Sequence, residues 1–237
     1  MCTVSFFNTG NSLIFTSSRD EKKDRENAVF PEILALENNV LYFPKDKKAA
    51  GTWFVADENG NVAILLNGAF QKHESEFSYR KSRGIILLDL AKSKNILDEF
   101  RNYNLFEIEP FQLLVFSQKK LFRLLWDGKD KYEIALNKDE NHLLSSKTLY
   151  NDQIVDERQN IFENFQKEEN INSDEILEFH KNHQIEKEPN IEEIIKEKFI
   201  TVSITQLIIT EQNIEFCYND LIANTKQIEK IGKRTLV

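Results

Sequence analysis

A chain of 237 residues, 41% hydrophobic and with eighteen Phe, is long enough to bury a sizeable core. Its formal net charge of −8 argues against general nucleic-acid binding, which draws on a basic surface. No apolar run reaches the roughly eighteen residues of a membrane span, and no basic stretch leads into an apolar one at the start. A cytoplasmic protein with Cys2 and Cys217 as free thiols is the resulting expectation.

Residues 3–7 and 12–17 are apolar or β-prone runs around the turn cluster Asn8-Thr9-Gly10-Asn11, which predicts a β-hairpin. Its return strand brings Arg19 and Asp20 towards the end where Cys2 lies. The charged run from Glu21 to Glu26 reads as a solvated loop. Phe30, Ile33 and Leu34 suggest a short helix, broken by Asn38-Asn39, and Val40 to Phe43 a strand. Gly51 to Ala56 predicts another strand, Asp57 to Asn61 a turn built on Asn-Gly, and Val62 to Leu66 an apolar return strand. Asn67-Gly68 ends it, so Asn67 stands at a strand end where its amide can enter a pocket.

Ile85 to Leu90, after Ser82-Arg83-Gly84, reads as helix, with Arg83 as a loop cation. Ile96, Leu97, Phe100 and Tyr103 form a helical stripe. Phe111 to Phe116 and Leu121 to Trp126 make a second hairpin, and Tyr132 to Leu136 and His142 to Ser146 add strands. Ile154, Val155, Ile161, Phe162 and Phe165 share one helical face, and Ile176, Leu177 and Phe179 mark a second helix. Pro189 opens a third, with Ile191, Ile194, Ile195 and Phe199. Thr201 to Thr210 and Ile214 to Tyr218 close the chain as strands. Strands grouped with strands indicate an α+β fold, and the lack of a linker or repeat indicates one domain over 1–237.

Cys2 is the residue of greatest chemical interest. Cysteine is small, which favours removal of Met1. Removal leaves a thiol and a free α-amine on one residue. An α-amine of pKa about 7.7–8.0 can accept the thiol proton near neutral pH, so nucleophile and base coincide.

The opening Met-Cys-Thr, the block Ser18-Arg19-Asp20-Glu21 and Gly51-Thr52-Trp53 together resemble the Asn-Arg-Asp-Glu (NRDE) family, that of the transport and Golgi organisation protein 2. The resemblance is strongest over 1–90 and 142–150. It implies an N-terminal-nucleophile hydrolase fold similar to the choloylglycine hydrolases: an αββα sandwich of two stacked antiparallel sheets between helical layers. It implies that Cys2 attacks an amide carbonyl, that Asp20 orients the α-amine, that Arg19 holds the thiolate or a substrate anion, and that Asn67 donates to the oxyanion. Leu144-Ser145-Ser146 resembles the family's Leu-Ser-Asn segment, with Ser146 in place of its asparagine. Ser18 likewise replaces the first Asn of the NRDE block, and Thr201 to Thr210 lacks the arginine that choloylglycine hydrolases place in their last strands.

Two functions follow: amide hydrolysis or acyl transfer on a small molecule, which needs no cofactor, or non-catalytic carriage of haem or an acyl lipid. Links of the family to haem make His73, His142 and Cys2 candidate haem ligands. His180 and His183, three apart on a predicted helix, have metal-compatible spacing but lack a supporting motif, and read as a solvated polar face.

Overall fold

The computed structural model describes residues 2–73, 78–148, 150, 152–168, 170–187, 191 and 193–232, except the side chains of Cys2, Glu193, Ile194 and Lys196. In chain order the elements begin with β1 (Cys2–Asn8), β2 (Ser12–Lys22), β3 (Val29–Ala35), β4 (Val40–Lys45), β5 (Phe54–Asp57) and β6 (Val62–Asn67). Next come α1 (Arg83–Ala91), α2 (Ile96–Asn102), β7 (Phe111–Ser117), β8 (Lys120–Trp126), β9 (Lys131–Leu136) and β10 (His142–Ser145). The chain continues through α3 (Asp152–Phe165), α4 (Ser173–Asn182), a 3-10 turn at Ile185–Lys187, α5 (Glu193–Lys198), β11 (Phe199–Thr210), β12 (Ile214–Asp220) and β13 (Thr225–Ile231).

The chain divides into two compact units, 1–25 with 139–230, and 26–138 with 231–237. The first holds a six-stranded sheet of order β10-β1-β2-β11-β12-β13, antiparallel at every described pairing. Phe7 and Ile14 on one of its faces pack against Phe162 of α3 and Ile176 and Phe179 of α4. Side chains alternate along a strand, so Thr3, Ser5 and Phe7 share this helix-covered face with Ser18, Thr16 and Ile14, their partners across the β1–β2 ladder. Ile14 to Asp20 are all buried, so both faces of β2 are covered.

The second unit holds an antiparallel seven-stranded sheet of order β3-β4-β5-β6-β7-β8-β9. β6 and β7 are its apolar centre, and α1 buries Ile86, Leu87, Leu88 and Leu90. Gly51-Thr52-Trp53 precedes the strand rather than starting it. A Cβ on Gly51 would lie 2.5 Å from the Gly84 carbonyl carbon, so the two backbones require glycine to approach this closely. Thr52 donates its hydroxyl to the Pro44 carbonyl at 2.6 Å.

Phe30, Ile33 and Leu34 lie in strand β3, not in a helix. Pro31 would break a helix interior but is tolerated on a sheet edge, and pairing of Ile33 and Leu34 with Tyr42 and Leu41 outweighs their helical spacing. In α3 the buried stripe is Ile154, Arg158 and Phe162, while Ile161 is exposed. Phe199 belongs to β11 rather than to the helix before it, and Pro189 lies outside the described residues. β13 is mostly exposed and polar, so no apolar pattern announced it. Among the described residues no helix is long and apolar enough to cross a membrane.

Candidate active site

The β1–β2 ladder sets Cys2 directly opposite Arg19 and Thr3 opposite Ser18. The Cys2 side chain lies outside the described residues, as does Met1. Across the other edge of β2, Asp20 pairs with Thr201, and a bulge separates that pair from Ser203–Arg19. Bulges re-aim side chains. Here the Thr201 hydroxyl donates to Asp20 Oδ1 at 2.6 Å, and the Tyr150 hydroxyl donates to Oδ2 at 2.5 Å.

Asp20 is 1% exposed. Burial raises its pKa above the usual carboxylate value, and the nearby Arg158 charge and the Thr201 and Tyr150 hydrogen bonds work against that rise. Tyr150 is held well above the usual phenol range, first by burial and then by the Asp20 charge, so it remains a donor. Arg158 lies over the Tyr150 ring at 4.0 Å and donates to Thr3 Oγ1 at 2.5 Å and to the His183 carbonyl at 3.2 Å. A buried carboxylate thus has a buried guanidinium near it and two hydroxyl donors on it.

Next to this group, His180 clamps the hairpin. Its Nδ1 lies 2.8 Å from Ser18 Oγ and its Nε2 2.8 Å from Ser5 Oγ, so one imidazole of α4 bonds to both β1 and β2. Burial, with the His183 and Arg158 charges, lowers its pKa to about 3. The ring is neutral, and one serine donates while the other accepts. His180 is therefore not on a solvated face: it is 1% exposed, because α4 turns that side onto the sheet. His183 stays half-buried at the helix end, its Nδ1 donating to the Phe179 carbonyl at 2.6 Å.

The opposite face of the same strands is different. Arg19, Ser17, Ser203 and Thr205 share it, with Ser203 paired to Arg19 and Thr205 to Ser17. Arg19 is 5% exposed and reaches Glu21 at 3.5 Å. The hydroxyls of Ser17, Ser203 and Thr205 are buried and have no hydrogen-bond partner among the described residues.

Ser146 follows β10, whose ladder with β1 ends at the Ser145–Thr3 pair. It is fully buried, with its hydroxyl 3.1 Å from that of Thr148. Cys2, Arg19, Asp20 and Ser146 therefore belong to one unit. Asn67 belongs to the other, where it ends β6 opposite Phe111, half-buried, followed by Gly68 at φ 76°. Arg83 is tied down there as well, to Glu109 at 2.8 Å and to the Pro110 carbonyl at 3.1 Å. Of the haem candidates, His73 Nε2 faces Glu109 at 3.3 Å, and the His142 ring stacks on Phe6.

Sequence reasoning missed Tyr150, Arg158 and Thr201 and placed His180 on the wrong side of its helix. Two of these had a signal. Arg158 lies four residues from both Ile154 and Phe162, and His180 four from Ile176, so each interrupts an apolar stripe on the core side of its helix. Nothing local marks Thr201.

The family model described as Transport and Golgi organisation 2 matches residues 1–219. No curated protein matches significantly in sequence. Among solved structures, a variant of the conjugated bile acid hydrolase from Clostridium perfringens is similar at TM-score 0.64 and 10% identity, over 100% of this chain and 94% of that one. The N-acylethanolamine-hydrolyzing acid amidase ortholog of Caenorhabditis elegans is similar at TM-score 0.58 and 12% identity, over 87% of this chain and 92% of that one. At such identities the likeness is one of fold.

Proposed function

Since the chain belongs to the Transport and Golgi organisation 2 family and has the fold of the N-terminal-nucleophile hydrolases, we propose that it hydrolyses, or transfers the acyl group of, a small N-acyl amide through Cys2. The observation that carries this reading is at one strand end. Cys2 pairs with Arg19, and the next residue is a carboxylate sunk to 1% exposure between two hydroxyl donors. A buried charged group of this kind is costly and is typical of functional sites. The named substrate of the amidase neighbour, an N-acylethanolamine, is an amide of the proposed class.

In this reading, loss of Met1 frees the α-amine of Cys2. The amine takes the Sγ proton and the thiolate attacks the amide carbonyl. The ammonium returns its proton to the leaving nitrogen, the C–N bond breaks, and a thioester remains on Cys2. Water, deprotonated by the same amine, then releases the acid and restores the thiol; an acceptor amine or alcohol in place of water gives transfer. Asp20, fixed by the Tyr150 and Thr201 hydroxyls, is the carboxylate that orients the ammonium. Arg19 offers a cation for a substrate anion, and Ser146 a hydroxyl beside the nucleophile.

The test is mass spectrometry of the purified protein before and after exposure to an activated acyl ester. Met1 is expected to be absent and Cys2 acylated. Cys217, 4% exposed and with its thiol pKa pushed up by burial, is expected to remain unmodified. Retention of Met1 together with an unmodified Cys2 would overturn the enzyme reading and leave the binding function, for haem or an acyl lipid, in its place.

A further inference from the structure

The second unit contains a cavity remote from Asn67 along β6. It encloses about 260 Å³ and is bounded by the β5–β6 turn, the end of β7 and the α1–α2 connection. Val62 lines it, and Asn67 stands five residues further along the strand, about 16 Å at the ordinary rise.

Its lining is mixed. Leu41, Val55, Ala63 and Phe116 line it and are buried, so part of the wall is apolar and includes an aromatic ring. Asn59, Lys92 and Lys94 line it and are exposed, so its solvent-facing part is polar and basic. Ser117 brings a hydroxyl to the wall from a residue only 6% exposed.

The one carboxylate in the lining is occupied. Asp57 accepts from the Asn59 and Asn61 backbone N–H groups at 2.9 Å each and from the Asn61 amide at 2.8 Å, which closes the turn. Lys92 leans towards Asp89 at 3.3 Å. Lys94 has no ion-pair partner among the described residues. A lining that joins buried apolar side chains, one of them aromatic, to amide, hydroxyl and ammonium groups suits an amphipathic small molecule. We propose that this cavity binds a small monocarboxylate, its apolar body on Phe116 and its carboxylate towards Lys94 and Ser117. Its lining comes wholly from the second unit, and binding there does not depend on the Cys2 chemistry.

Titration of the full chain with phenylpropionate and, in parallel, with phenylpropanol, followed by backbone amide NMR, tests this. Phenylpropionate should give saturable shifts centred on Asn59, Lys94 and Ser117, and should bind more tightly than the alcohol. Lys94→Gln, an exposed substitution, should weaken the acid about threefold, the scale of one exposed ion pair, and leave the alcohol unchanged. Ala91→Phe, at the end of α1, should narrow the cavity and weaken both at least about tenfold. Acylation at Cys2 should be unchanged in Lys94→Gln, which keeps this test distinct from that of the enzyme reading. Equal affinity for acid and alcohol would overturn the assignment of an anionic ligand. Absence of saturation, or shifts that Ala91→Phe does not alter, would overturn the site.

Discussion

Ser17 and Ser18 are neighbours on β2, both buried, and face opposite ways. Ser18 meets His180 at 2.8 Å. Ser17, with Ser203 and Thr205 on the same side, has no partner among the described residues. On the helix-covered face the polar groups form a closed set: Thr3 with Arg158, Ser5 and Ser18 with His180, Thr16 with Gln206, and Asp20 with Tyr150 and Thr201. Residue type is the same on both faces, so the difference lies in what covers them. Helices α3 and α4 carry long polar side chains that reach the sheet, and a satisfied network in a low-dielectric interior fixes the hairpin that bears Cys2 and Arg19.

The hardest way to break the contrast is to remove the cation. Arg158→Met leaves Asp20 and Thr3 without their buried partner, and chemical denaturation should show a loss of about 3–5 kcal/mol. Asp20→Asn added to it should recover part of that loss, since the uncompensated charge is then gone.

Acid is the next probe. His180 titrates at about 3 in the folded chain against an ordinary 6.5, so the neutral ring is favoured by folding. That contribution is complete above pH 6.5 and is lost as pH falls towards 3, because the unfolded chain takes up the proton first. Between pH 7 and pH 5 the loss should be about 2 kcal/mol. The pKa of Asp20 is raised, so its contribution has the opposite sign: present below the ordinary carboxylate pKa and lost as pH rises through the folded value. Denaturant midpoints measured from pH 7 to pH 5 should therefore fall in the parent chain and flatten in His180→Phe. An equal slope in both would assign the acid sensitivity elsewhere.

The finest test compares the faces directly. Ser18→Ala leaves a buried ring nitrogen without its partner and should cost about 1–2 kcal/mol. Thr205→Val removes a buried hydroxyl that has no partner among the described residues and keeps the shape, so its midpoint should stay level or rise by up to about 1 kcal/mol. A destabilised Thr205→Val would mean that this hydroxyl is bonded in solution after all.

Periodicity and turn chemistry were enough to read most of the architecture. The β1–β2 hairpin, the Asn59-Gly60 turn, the β7–β8 hairpin and the strands near the end all stand where alternation and turn residues placed them. These signals are local, since a strand facing a core writes its period into adjacent residues. The resemblance to a known family named the fold and pointed to Cys2, Arg19, Asp20, Asn67 and Ser146. Long-range choices were not legible. Pairing with β4 decided that Phe30 to Leu34 are extended, and the polar edge strand β13 has no apolar period to read. The partners of Asp20 come from positions 150, 158 and 201, and those of Ser5 and Ser18 from position 180. A buried Arg or His carries no mark of the distant oxygen that satisfies it. Sequence alone determined most of the strands and set Cys2 at the start of the first. Only the tertiary structure decided which hydroxyls are satisfied, because that depends on which face α3 and α4 cover.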